Sequence, residues 1–158
     1  LPIFWYTDNS PNLEAAQISV RPYVASGGRV LFSMLFPSFF DARGLSDFLP
    51  LDSIGVPVND GFFPFGTRVP AVAQGYPTLA TDMNFNNPVS LVRRYFPNPV
   101  QSVRLYELDM AGRPIVGFKS IDNRIVFMGI PLSYSNAAPS NVKQFFSKVL
   151  IDEFGLTP

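Results

Sequence analysis

Short runs of consecutive apolar residues, separated by polar turns and prolines, dominate the pattern of this chain. Three of them are Leu1–Thr7 (LPIFWYT), Arg29–Phe36 (RVLFSMLF) and Ile125–Ile130 (IVFMGI). Largely apolar runs of this length are typical of strands that are buried on both faces of a sheet. The pattern therefore predicts a buried β-strand at each of the three positions.

Two segments have the apolar periodicity of a helix. The first, Asn12–Ser26, lies between the first two strands and ends at the glycine pair Gly27-Gly28. Glycine favours the left-handed conformation that terminates helices. The second begins at Ser140 and ends at Gly155, and its apolar residues form one wide stripe. A strand, a helix and a second strand in this order predict a right-handed βαβ unit with parallel strands.

The middle of the chain, residues 55–102, has a different composition. It contains seven prolines, no lysine and no glutamate, and its aromatic residues lie among glycines and asparagines. Such dense proline is incompatible with long helices and with central strands. We predict a long excursion of short extended pieces and turns, with one helix that Asn87 caps and Pro97 ends.

Two alternating segments after the excursion, Val103–Leu108 and Pro114–Ile121, are joined by short turns to each other and to the last apolar run. This spacing predicts an antiparallel meander near the C-terminus. Taken together, the pattern predicts a single α/β domain over residues 1–158. Its expected architecture is a three-layer sandwich with a mainly parallel central sheet and the meander at one side.

The charge of the chain limits the classes of partner that it is expected to bind. The chain has 12 basic and 12 acidic residues, so its net charge is zero, and it has no basic cluster. Nucleic acid is therefore not an expected partner, because binding to phosphates requires clustered lysine and arginine. No apolar run approaches the roughly 20 residues that a membrane-spanning helix needs, so no transmembrane segment is expected.

The chain contains no cysteine and no histidine. Thiol nucleophiles, disulfides, thiolate metal sites and iron–sulfur clusters are therefore excluded. Histidine is the commonest general base near neutral pH and the commonest metal ligand, so any triad that depends on it is excluded as well. We expect no cofactor, no metal site and no catalytic residue of these kinds.

Polar side chains lie near the end of each of the three apolar runs or directly after it, and the carboxyl ends of parallel strands are where α/β folds place their ligands. A serine there could act as a nucleophile if a base activated it, and two carboxylates could hold a cation. Structural roles are favoured over these: Ser33 as a small strand residue, Ser38 as a helix cap, and Asp8 and Asp41 in caps or turns. The candidate binding residues are Asp8, Asn9, Ser33, Ser38, Asp41, Ser133 and Tyr134.

The chain resembles a known family in several of these features. A first strand ending in TDNS, a helix that stops at a glycine pair and the run GGRVLFSML are similar to the middle of a class I glutamine amidotransferase-like domain, a flavodoxin-like α/β fold. The late strand IVFMGIPLSYS and the helix closing in FG add to the likeness. The chain resembles most the catalytically silent members, which occur in bacterial secreted or multidomain proteins.

The resemblance also implies which catalytic positions are vacant. Catalytic members carry a G-x-C-x-G elbow after the second strand, where this chain has Ser33–Pro37 (SMLFP). The positions of the family's histidine and acid hold Ile130 and Leu132, and its oxyanion glycines are replaced by Asp8 and Asn9. The family's opening strand would precede Leu1, so we expect this chain to be a fragment of a longer protein.

Two functions of different classes remain open. The first is a non-catalytic accessory or interaction domain of a larger bacterial protein, which would contact a neighbouring domain, a subunit or a glycan. The alternative is a divergent hydrolase that uses serine or aspartate at the carboxyl ends of the strands. The absence of cysteine is compatible with export, and we favour an extracytoplasmic location.

Overall fold

The computed structural model describes residues 1–7, 16–34, 49–57, 69–73, 82–85, 92–108, 110–132 and 139–157. The strands are β1 Ile3–Thr7, β2 Val30–Met34, β3 Leu51–Pro57, β4 Val69–Ala73, β5 Asp82–Phe85, β6 Arg93–Pro97, β7 Ser102–Leu108, β8 Ile115–Ser120 and β9 Ile125–Met128. The helices are α1 Arg21–Ala25, which follows a π-helical turn Ala16–Val20, and α2 Pro139–Lys148, which continues into a π-helical turn Val149–Glu153.

Seven strands form one mixed sheet in the order β1-β2-β9-β8-β7-β4-β5. The pairs β1–β2 and β2–β9 are parallel, and the other four pairs are antiparallel. The predicted parallel arrangement of the first two strands and the predicted meander β7-β8-β9 are therefore confirmed. The prediction of a mainly parallel sheet is wrong for the described strands, because β4 and β5 from the proline-rich excursion extend the sheet beyond the meander.

The excursion supplies short strands, as predicted, but one of them lies inside the sheet. β4 is placed between β7 and β5, although proline was expected to keep this segment out of central positions. Pro70 is in register with Asn84 of β5, whereas the pairing of β4 with β7 begins only at Ala71. Proline has no N–H to donate to a ladder. β4 can include Pro70 because its pairing with the neighbouring strand β7 does not extend to this residue.

A separate two-stranded sheet is formed by β3 and β6, which pair antiparallel. The predicted helix that ends at Pro97 is wrong in its described part, since Arg93–Pro97 is β6. Burial alternates along its second half: Tyr95 and Pro97 are buried and Phe96 is exposed. A period of two is the pattern of a strand, and pairing with β3 outweighs the helical spacing of the apolar residues.

The predicted ends of both helices agree with the structure. Gly27 has φ +97°, and the N–H groups of Gly27 and Gly28 donate to the carbonyl oxygens of Val24 and Tyr23. Gly155 has φ +63°, and its N–H donates to the carbonyl oxygen of Ile151. Glycine tolerates positive φ without the steric cost that other residues incur, so both stops follow directly from the sequence.

Central strands of the sheet contribute to two core clusters. In β9, Val126 and Met128 join a cluster that contains Phe145, Val149 and Phe154 of the closing helical segment. Ile125 and Phe127 join the other, with partners from the first helical segment, β2 and the small sheet, including Val20, Val24, Phe32, Leu51 and Tyr95. Alternate residues of a strand point to opposite faces. The prediction of burial on both faces is therefore confirmed for β9. It is wrong for β1, an outer strand of the described sheet in which Phe4 and Tyr6 are 49% and 39% exposed.

Candidate functional site

One of the candidate binding residues, Ser33, lies in the described part of the chain. The other six lie outside the described residues, and these are Asp8, Asn9, Ser38, Asp41, Ser133 and Tyr134. The structure therefore decides the environment of the serine that the sequence analysis considered as a nucleophile.

Ser33 lies near the carboxyl end of β2, in register with Met128 of β9, and none of its surface is exposed. Its Oγ accepts a hydrogen bond from the backbone N–H of Leu132 at 2.9 Å. The backbone has left β9 at this point, so this N–H has no strand partner, and a buried N–H without an acceptor is costly. The hydroxyl ties the segment after β9 to the neighbouring strand.

The corner that follows β9 is apolar and buried. Ile130, Pro131 and Leu132 are all buried, and Ile130 and Leu132 belong to the same core cluster as the closing helix. Gly129 precedes this corner, and a Cβ at this position would lie 2.3 Å from Cε2 of the buried Tyr95. Only glycine allows this approach between the strand end and the ring. The corner that the sequence placed here is therefore a packed part of the core.

The buried tyrosines add no base to this region. Burial raises the pKa of Tyr106, and it raises the pKa of Tyr95 well above its ordinary value although the nearby Arg93 acts in the opposite direction. Both hydroxyls are therefore protonated near neutral pH. Ser33 thus lies in a packed environment and accepts a structural hydrogen bond.

A pocket of about 490 Å³ opens at a different place, near the amino end of β9. Ligand sites commonly measure roughly 300–1,000 Å³. Its walls come from the end of α1, the start of β3, the β6–β7 turn and the β8–β9 turn. The described lining residues are Val24, Leu49, Pro50, Leu51, Val100, Gln101, Ser120, Ile121, Asp122 and Ile125.

Polar groups at one side of the pocket are already paired with each other. Ser120 Oγ donates to Asp122 Oδ1 at 2.6 Å and accepts the backbone N–H groups of Arg124 and Ile125 at 3.1 and 3.0 Å. Arg124 Nε lies 3.4 Å from the other oxygen of the Asp122 carboxylate. Apart from Gln101, the remaining lining is aliphatic. Two residues at its rim, Val100 and Ile121, are 77% and 57% exposed. This surface suits an apolar group.

Asn98 stabilises the β6–β7 turn, which forms one wall of the pocket. Its side-chain oxygen accepts the N–H groups of Val100 and Gln101 at 2.9 and 3.1 Å, and its Nδ2 donates to Asp52 at 2.8 Å. Its backbone N–H donates to the carbonyl oxygen of Pro50 at 2.9 Å. The sequence pattern did not predict this pocket. An asparagine between two prolines (Pro97-Asn98-Pro99) was the one local signal of an ordered turn.

No group of three or more acidic side chains that could hold a metal ion occurs in the described ranges of the chain. The helices described by the structure include none that is long and apolar enough to cross a membrane. No protein-family model matches this chain, and no curated protein is similar to it at a significant level.

Proposed function

We propose that this chain is a non-catalytic interaction domain of a larger bacterial protein. In this proposal it is a three-layer α/β domain, similar to a class I glutamine amidotransferase-like domain, whose catalytic positions are vacant. The observation that carries the proposal is the hydrogen bond from the N–H of Leu132 to the buried Oγ of Ser33. It joins the two segments in which the resemblance would place the nucleophile and the histidine.

A nucleophile must be reachable by substrate and must be able to give its proton to a base. Ser33 is fully buried, and its oxygen accepts a backbone N–H instead. The apolar residues Ile130 and Leu132 complete the core beside it. This packing supports a scaffold whose former site position is filled with side chains. The alternative of a divergent hydrolase depends mainly on aspartates and serines outside the described residues, and it stays a prediction.

The pocket near the amino end of β9 is the surface that we propose contacts a neighbouring domain or subunit. Its exposed rim residues Val100 and Ile121 are aliphatic, and exposed apolar clusters are a common feature of protein contacts. Sugars stack mainly on aromatic rings, and the described lining contains none. An apolar protein side chain therefore fits this pocket better than a glycan does. An extracytoplasmic location remains part of the proposal.

Replacing Ser33 with alanine tests the structural role of its hydroxyl. Ser33→Ala is expected to lower the free energy of unfolding by about 1–3 kcal/mol, because the buried N–H of Leu132 loses its acceptor. Urea denaturation followed by circular dichroism measures the change. The matched control is Ser26→Ala, an exposed serine whose Oγ donates to the carbonyl of Tyr23 at 2.8 Å; its expected effect is below about 0.5 kcal/mol.

The same pair of variants separates the two functions. A fluorophosphonate probe, which labels activated serines, is expected to leave the wild-type protein unlabelled. Labelling of the folded wild type would contradict the non-catalytic proposal, and its loss in Ser33→Ala but not in Ser26→Ala would assign the activated serine to Ser33. A loss of stability without labelling would support it.

The proposed contact at the pocket predicts a difference in amide hydrogen exchange. In the full-length protein, residues 98–102 and 120–125 are expected to exchange at least about tenfold more slowly than in the isolated chain, because a partner covers them. Residues of α2, which lie elsewhere, serve as the internal control and should exchange equally in both. Equal rates at the pocket in the two proteins would argue against this surface as the contact.

A further inference from the structure

β1 is the outer strand at one side of the seven-stranded sheet among the described strands. It has five residues, IFWYT, without a charged residue or a proline, and its pairing with β2 contains no register shift. Proteins normally protect exposed edges with charges, prolines or bulges, because a free edge can pair with another strand. β1 has none of these devices, and its Phe4 side chain is 49% exposed.

The direction of the backbone groups follows from the pairing with β2. The N–H of Ile3 donates to the carbonyl oxygen of Arg29 at 2.8 Å, and Ile3 is in register with Val30. Backbone groups of successive residues in a strand point to opposite sides in the plane of the sheet. The N–H and C=O of Phe4 therefore point away from β2, towards the outer side of the strand.

We propose that β1 pairs antiparallel with β1 of a second copy of this chain, across a two-fold axis at Phe4. In this register the two Phe4 residues exchange both of their N–H···O=C hydrogen bonds. Their side chains lie opposite each other on one face of the joined sheet. The proposal goes beyond the interaction described above and concerns a surface other than the pocket.

Ring contacts and charge both favour a second copy as the occupant of this edge. The Phe4 ring packs edge-on against Phe146 with their centroids 5.0 Å apart. Pairing at Phe4 would place two such ring pairs side by side, and aromatic cross-strand pairs stabilise sheets. The chain has no net charge, and β1 has no charged side chain, so two copies do not repel each other at this edge.

The proposed dimer is reversible. A pair of five-residue strands makes a small interface, below the roughly 1,200 Å² of buried surface that specific, stable complexes reach. We therefore expect a monomer–dimer equilibrium that shifts between about 10 µM and about 1 mM protein, the range of weak association.

Analytical ultracentrifugation over this concentration range tests the proposal. The wild type is expected to shift from monomer to dimer, whereas Phe4→Lys, which places a charge at the edge, is expected to stay monomeric. Ile18→Lys is the matched control, since Ile18 is 66% exposed and lies outside β1; it should dimerise like the wild type. A wild type that is monomeric throughout, or a folded Phe4→Lys that dimerises normally, would overturn the proposal.

Amide exchange in the wild type provides a test that does not depend on the folding of a variant. The Phe4 amide is expected to exchange at least about fivefold more slowly at the high concentration than at the low one, because it becomes hydrogen-bonded in the dimer. The Ile3 amide, which already donates to Arg29, is the internal control and should be unchanged. Slowing at residues 98–102 and 120–125 instead would place the dimer contact at the pocket and refute pairing at β1.

Discussion

Replacing Lys119 with methionine is expected to lower the free energy of unfolding by about 3–5 kcal/mol. Lys119 in β8 is 6% exposed and Glu153 in the closing helical segment is 4% exposed. Lys119 Nζ donates to Glu153 Oε2 at 2.5 Å and to Asn123 Oδ1 at 2.9 Å. The pair joins the end of the closing segment to the sheet. Removal of the lysine leaves a buried carboxylate without its counter-charge, which is the costly case for a buried ion pair.

The structure makes this loss severe for Glu153. Its other oxygen, Oε1, is buried and has no hydrogen-bond partner among the described residues. The carboxylate therefore depends on Lys119 for its described hydrogen bonding. A buried ion pair as a whole need not stabilise the fold, because an apolar pair of similar volume avoids the cost of taking two charges out of water. The double variant Lys119→Met/Glu153→Met should therefore recover most of the stability.

Urea denaturation of the single and double variants measures this effect. Lys148→Met is the control, because Lys148 and Asp152 form an ion pair four residues apart whose side chains are each 35% exposed. Its loss should change the free energy of unfolding by less than about 1 kcal/mol. A small loss in Lys119→Met, or a double variant as unstable as the single one, would show that this pair does not carry the expected energy.

Replacing Phe127 with alanine is expected to lower the free energy of unfolding by a similar amount, about 3–5 kcal/mol. Phe127 lies in β9 and none of its surface is exposed. Its ring centroid is 4.9 Å from that of Phe118, 5.0 Å from that of Tyr95 and 6.1 Å from that of Phe32. Truncation removes these contacts and leaves a cavity between the main sheet and the small sheet.

Phe96→Ala is the matched control for this prediction. Phe96 follows Tyr95 in β6, but it is 44% exposed, so its truncation should cost less than about 1 kcal/mol. Equilibrium unfolding in urea, with both variants under the same conditions, compares the two. Similar losses at the two positions would contradict the burial that distinguishes them and would place the centre of the core elsewhere.

At the candidate site, the sequence correctly identified the residues present, but the role of Ser33 depends on how it is packed. The sequence indicated that Ser33 lies in a buried strand and that Ile130-Pro131-Leu132 forms an apolar corner. Both expectations agree with the structure. The hydrogen bond between Ser33 and Leu132 could not be predicted, because it joins residues 99 positions apart. A hydroxyl near a strand end is equally compatible with a nucleophile and with a backbone acceptor.

The pocket was missed for a related reason. Its walls come from separate segments of the chain, and each contributes ordinary aliphatic residues that have no motif. Asn98 is the exception, since its side chain and backbone connect the β6–β7 turn to the start of β3. Spatial convergence of common residues leaves no local pattern in a sequence.

Local structure, and the kinds of chemistry that this protein lacks, follow from its amino-acid sequence alone. The parallel pair β1–β2, the stops at Gly27 and Gly155 and the late meander depend on apolar runs, glycine and short turns, which act over a few residues. The absence of cysteine and histidine is independent of the fold. Two other outcomes arise from contacts between distant segments: Arg93–Pro97 is a strand, and β4 lies inside the sheet. Those outcomes depend on hydrogen bonds and burial supplied by distant strands, whose pairing energy exceeds the weak local preference.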